Sequence, residues 1–123
     1  MAAKDKFHEA VKMDKLSHYR QIIQDMLNEK AQIKPIGGEI EVETIFDEKN
    51  DRYLLVHLGW NDQQRIYSCV LHLEIQEQKI WIQNNQTDQS ISEELLEKGV
   101  PKTDIISGLQ PAYIREYLTL NSA

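Results

Sequence analysis

Of the chain's four histidines and single cysteine, whose types suit metal binding or nucleophilic catalysis, His57, Cys69 and His72 fall together in its middle third. Zinc needs three or four converging donors, and no CxxC, HxH or HExxH spacing occurs anywhere. Residues 69 and 72 are three apart, so regular strand alternation puts their side chains on opposite faces. A Cys–His nucleophile pair meets the same objection, because Cys69 falls on an apolar face where a thiolate is unfavourable. Ser68 and Ser90 lack the glycines of a nucleophile elbow. Gly37-Gly38 follows a helix and precedes a strand, the reverse of a phosphate loop, and reads as a turn. Glu39, Glu41 and Glu43 form an acidic ladder on one strand, and Glu93, Glu94 and Glu97 sit on a helix. A Mg²⁺ nuclease wants carboxylates from several elements plus a lysine. A ladder on one strand reads instead as a solvated face, or as a docking surface for a basic partner. No catalytic, cofactor-binding or metal-ligating residue is assigned, and the chain is expected not to be an enzyme.

What stands out is a set of interface-type residues. Trp60, Arg65 and Tyr67 cluster around a hairpin, and Trp81 follows one strand later. Tryptophan, tyrosine and arginine are the residues that most often anchor protein contacts. These four are the candidate interface, with core filling as the competing role for the two tryptophans.

The elements that must position them follow from periodicity. From about Asp5 to Ala31 there is no Gly or Pro, and Leu16, Tyr19, Ile23 and Met26 recur at helical steps, widened by Ile22 and Leu27. Phe7 and Val11 are also four apart, so one long helix or two in succession would fit. Pro35 and Gly37-Gly38 end the pattern. Four strands follow, near residues 40–46, 52–60, 65–75 and 79–83, with Tyr67, Cys69, Leu71, Leu73 and Ile75 expected on one face of the third. Their connections are too short for parallel crossovers, so the sheet is an antiparallel meander. Leu55, Ile66, Val70 and Trp81 add apolar character to the second faces. Both faces of the sheet therefore need cover, from helices or from a partner. Ser90 or Asp88 caps a short helix that Gly99 ends. A second helical piece is expected over 102–106, and Pro111 opens a last one carrying Tyr113, Ile114, Tyr117 and Leu118. The expected class is α+β: an N-terminal helix, a four-stranded antiparallel meander sheet, and two or three short C-terminal helices.

A chain of 123 residues suffices for one domain with one core. Its 14 Lys and Arg against 20 Asp and Glu give a net charge of −6, and no basic run exceeds two residues. Unaided DNA binding and membrane-surface binding both call for clustered cations, so both are disfavoured. A single cysteine allows no intrachain disulfide and fits a reducing, cytoplasmic setting.

GWNDQQRIYSCVLHLEIQEQKIWIQNNQTD, EELLEKGVPKTDII, MDKLSHYRQIIQDMLNE and IFDEKNDRYLLVHLGW, together spanning Met13 to about Tyr117, resemble the fdxN-element excision controlling factor XisI family. Ser68 and Gln86 stand where that pattern favours glycine. The resemblance implies an accessory role in programmed excision of a DNA element in filamentous, heterocyst-forming cyanobacteria. It implies action beside a nuclease-like companion, XisH, and a site-specific recombinase. The family supplies no catalytic residue to carry over. Residues 1–12, MAAKDKFHEAVK, resemble the start of XisH instead, so they are expected to be an extension on a XisI-like domain over 13–123. Contact with a XisH-like companion is the leading expectation, and a homodimer through the same surface fits as well. A DNA-binding regulator using Arg52, Arg65 and Lys79 ranks second, and a cryptic metal-dependent enzyme third.

Overall fold

The structure, a computed structural model, describes residues 2–121, with side chains over 14–116. A single helix, α1 (Ala2–Ala31), is followed by β1 (Glu39–Asp47), β2 (Arg52–Asn61), β3 (Gln64–Gln76) and β4 (Lys79–Asn85). Then come α2 (Ile91–Glu97), a 3₁₀ turn (Lys102–Asp104), β5 (Ile105–Ser107) and α3 (Ala112–Asn121). The sheet order is β1-β2-β3-β4-β5. The chain is therefore α+β, with the expected antiparallel meander and one strand more. The side chains of Phe7, Val11, Tyr117 and Leu118 lie outside the described residues. Among the described residues, no helix is long and apolar enough to cross a membrane.

The core is the seam between α1 and one face of the sheet. Tyr19, Ile22, Ile23, Met26 and Leu27 bury the predicted helical stripe against Tyr53, Leu55, Leu71, Leu73, Ile75, Ile80 and Ile82. Each fully buried aliphatic side chain here contributes about 1.5–3 kcal/mol. Ile91 and Leu95 of α2, with Val100, close the β4 side. Ser90 caps α2 by accepting the Glu93 N–H. Gly99, at φ 97°, ends α2 with its N–H on the Leu96 carbonyl, while the Val100 N–H reaches Leu95. That paired closure is a Schellman motif, and it carries the apolar contact that such motifs favour.

Two sequence expectations need correction. Residues 105–107 are a strand rather than the end of a helix, pairing parallel to β4 through Ile80–Ile105, Trp81–Ile106 and Ile82–Ser107. Consecutive β-branched isoleucines suit an extended chain, the open edge of β4 offers partners, and the crossover through α2 is long enough for a parallel return. The second correction concerns β3. Leu55 faces Leu71 while Val56 faces Cys69, so Val70 is an extra residue in the ladder. This β-bulge breaks the simple alternation. Leu71, Leu73 and Ile75 are buried against α1, but Tyr67 is 74% exposed. The backbone of the bulge is satisfied by neighbours: Asn84 Nδ2 donates to the Cys69 carbonyl at 2.8 Å and the Gln86 N–H to that of Val70 at 2.8 Å.

Gly59 fixes how β1 lies on β2. It has φ 153°, and a Cβ there would stand 2.0 Å from the Glu39 carbonyl oxygen. Only glycine allows that approach without moving backbone. Gly59→Ala is expected to cost at least about 2 kcal/mol, from strain and the displaced strand. Urea unfolding checks this, and an unchanged midpoint would show that β1 is held some other way.

Candidate interface on the open sheet face

Cross-strand partners share a face of the sheet. The registers Glu39–Trp60, Glu41–Leu58 and Glu43–Val56 between β1 and β2 define the face away from α1. Leu58–Tyr67, Trp60–Arg65 and Val56–Cys69 extend it onto β3. Ile45, Trp60 and Tyr67 stay 47%, 51% and 74% exposed on this face. The Arg65 guanidinium lies over the Trp60 ring, 5.5 Å from its centre, and its NH1 donates to the Gly59 carbonyl at 3.3 Å. An exposed cation–π pair is worth about 0.5–1 kcal/mol, a modest bias towards this stacked arrangement. An open hollow of about 390 Å³ lies beside it, lined by Glu39, Ile40, Glu41, Leu58, Gly59, Trp60 and Arg65.

Three of the four candidates, Trp60, Arg65 and Tyr67, thus meet at the β2–β3 hairpin. Trp81 shares their face but belongs to its other end, across from Glu74 of β3 and Ile106 of β5. Glu74 in turn faces Arg52, eight residues along β2 from Trp60, which separates the tryptophans by about 26 Å. The Arg115 guanidinium of α3 lies 5.2 Å from the centre of the Trp81 ring. The indole N–H of Trp81 is buried without a hydrogen-bond partner. The same spacing separates Arg65 from Arg52, so the suggested patch of Arg52, Arg65 and Lys79 does not form a single cluster.

The bulge also alters the reading of the histidines and the cysteine. Cys69 and His72 face Val56 and Leu54, which lie two apart in β2, so they share the open face rather than opposing ones. His57 faces Ser68 on the helix side. The Cys69 thiol is pushed up by burial, and burial lowers the His57 imidazole. His72 is engaged with the Glu74 carboxylate at 3.0 Å. Among the described residues, no three His, Cys, Asp or Glu side chains converge as a metal site.

A family profile described as "XisI protein" matches residues 13–121. The chain belongs to the XisI family. Its fold and sequence are similar to a crystal structure of a XisI-like protein from Anabaena variabilis ATCC 29413. The two are 38% identical with a TM-score of 0.78, over 83% of this chain and 94% of that one. It is also similar to the fdxN element excision controlling factor XisI from the same strain, at 35% identity and TM-score 0.71, over 82% and 98%. None of the curated proteins matches the chain.

This XisI-family domain also carries three buried or half-buried carboxylates that the sequence alone did not single out. Asp104 takes the Lys15 ammonium at 2.8 Å and a short hydrogen bond from the Tyr19 hydroxyl. Asp51 takes Arg20 in a forked pair at 2.7 and 3.1 Å and the Tyr53 hydroxyl at 2.8 Å. Glu74 takes Arg52 at 3.0 Å, Gln83 at 3.2 Å and Gln76. The cations that hold them, Lys15, Arg20 and Arg52, come from other elements far along the chain and leave no local signature. Burial opposes ionisation at each of the three acids, but the hydrogen bonds and cations outweigh it and hold all three below the usual carboxylate range.

A pKa depressed in the folded state means that the unfolded chain binds more protons, so stability rises with pH across that interval. The contribution is complete above the unfolded values of about 4 and disappears as pH falls through the folded ones. Stability should therefore fall steeply below about pH 4.5, and Asp104→Asn should flatten that fall while weakening the fold at pH 7. Urea unfolding at stepped pH reads both, and an unaltered slope in the variant would remove Asp104 from the account.

Proposed function

We propose that this XisI-family protein is a non-catalytic controlling factor in the excision of a DNA element. In this reading it acts in the cytoplasm by contact with a XisH-like companion, and reaches a site-specific recombinase only through that companion. The observation that carries the reading is the exposed Trp60–Arg65–Tyr67 cluster on a sheet face that α1 leaves uncovered. Aromatic side chains at the hairpin end of an open face supply large contact area with few rotamers to freeze, and the Arg65 guanidinium stacked on Trp60 adds a charged anchor. The family membership, and the likeness to a protein described as an excision controlling factor, support the process. The net charge of −6 and the dispersal of Arg52 and Arg65 support a protein partner over duplex DNA. Trp81, at the far end of the same face, would be reached by a partner spanning the whole sheet.

The test is co-purification with the companion. A Trp60→Ala/Arg65→Ala variant, shown to be folded by circular dichroism, is expected to weaken binding at least about tenfold, or about 1.4 kcal/mol. Undiminished retention would sink the assigned surface. The reading also takes 13–123 as the working domain and 1–12 as an extension. A variant lacking residues 1–12 should keep both its unfolding midpoint and its companion, and failure to fold would refute that division.

A further inference from the structure

We infer that the open sheet face receives a basic amphipathic segment of a different protein. Its apolar side chains rest on Leu58 and Trp60, and its lysines or arginines lie against Glu39, Glu41 and Glu43. The inference rests on the partner-binding reading above and adds the chemistry of what binds.

The apolar part of the face comes first. Val56, Leu58, Trp60 and Tyr67 form a stripe across β2 and β3, and the hollow of about 390 Å³ indents it beside Trp60. Glu39, Glu41 and Glu43 flank that stripe, each directly across from one of its β2 residues. Such opposite side chains stand about 4.5–5.5 Å apart at Cβ, so any group seated on the stripe meets carboxylates at its edge. All three glutamates are exposed, and no ion pair reaches them among the described residues. Asp51, Glu74 and Asp104 by contrast each hold a cation of this chain. The row is left with charge to satisfy, next to apolar surface of Trp60 and Tyr67 that stays open to water.

Charge then selects the occupant. A two-fold related copy would bring the same surface to itself. Its hairpin end offers one guanidinium, Arg65, for the three carboxylates Glu39, Glu41 and Glu43, while Arg52 is held by Glu74 at the other end. Like charges across an interface cost affinity and reject that pairing. A polyanion is rejected on the same ground. A segment alternating apolar with basic residues satisfies the stripe and its edge together. The chain's own Arg65, stacked 5.5 Å from the Trp60 ring centre, shows that a guanidinium is accommodated there.

Trp81→Phe leaves Trp60 as the sole tryptophan and hence a reporter of this face. The probe is a synthetic peptide alternating leucine and lysine, with a leucine–glutamate peptide as its counterpart. The lysine peptide should shift Trp60 emission saturably, with affinity falling between about 50 and 300 mM NaCl. Glu39→Gln/Glu41→Gln/Glu43→Gln should weaken it at least about tenfold, or about 1.4 kcal/mol. A charge-matched Glu77→Gln/Glu93→Gln/Glu97→Gln variant, changed at exposed sites elsewhere, should stay within about twofold, since screened distant charges contribute little. Equal loss in both triple variants, no loss in the first, or equal binding of the glutamate peptide would overturn the inference. So would a wild-type dimer in sedimentation that Trp60→Ala abolishes, because a second copy would then be the occupant. The companion separates this failure from that of the broader reading. Normal retention by the Glu39/Glu41/Glu43 variant, with loss in Trp60→Ala/Arg65→Ala, refutes the basic segment alone. A companion that the wild-type chain does not hold removes the reading beneath it.

Discussion

The packing of one helical stripe on one sheet face governs the rest of the molecule. Tyr19, Ile22, Ile23, Met26 and Leu27 of α1 exclude water from Tyr53, Leu55, Leu71 and Leu73, and α2 completes the seal beside β4. A sheet has two faces, and this seal covers one. The side chains on the other face divide by position. Near β4 they form a polar knot around Glu74 with Trp81 beside it; near the β2–β3 hairpin they remain apolar and aromatic with an acidic border. Trp60 and Tyr67 of that second region lie outside the core that α1 seals.

Polar anchors hold the seal in place at its margins. Lys15 and Tyr19 tie the helix to Asp104 at the 3₁₀ turn, Arg20 ties it to Asp51 at the first hairpin, and Lys30 reaches Glu94 of α2. Tyr19 and Tyr53 each bury a ring in the core and direct the hydroxyl to a carboxylate. Such groups gain little net energy from pairing, but leaving one partner buried alone is costly. They therefore fix the angle and register of α1 more than they add to its stability.

Much of this was legible in the sequence. The stripe of α1, the ends of the first four strands, the Ser90 cap and the Gly99 stop all follow from local periodicity and turn chemistry, which depend on neighbours a few residues away. What was not legible depends on partners far along the chain. The bulge at Val70 is set by the match of β3 to β2, so residue parity alone put Tyr67 in the wrong company and set Cys69 and His72 on opposing faces. Ile105 and Ile106 extend because β4 has a free edge, a fact absent from their own neighbourhood. The candidate cluster was half legible: residue types drew attention to Trp60, Arg65 and Tyr67, while the gap to Trp81 needed the registers.

The short parallel strand has a kinetic side. The meander joins neighbours through tight turns, so its pairings close small loops and incur little entropy. β5 must wait for α2 and the 3₁₀ turn to bring it home, and then holds on through three residue pairs. Elements with so few contacts open at lower free energy than the body they dock on. β5 is thus the strand of this sheet expected to pair last. Each opening would bare the edge of β4 while leaving the hairpin and its aromatic cluster in place.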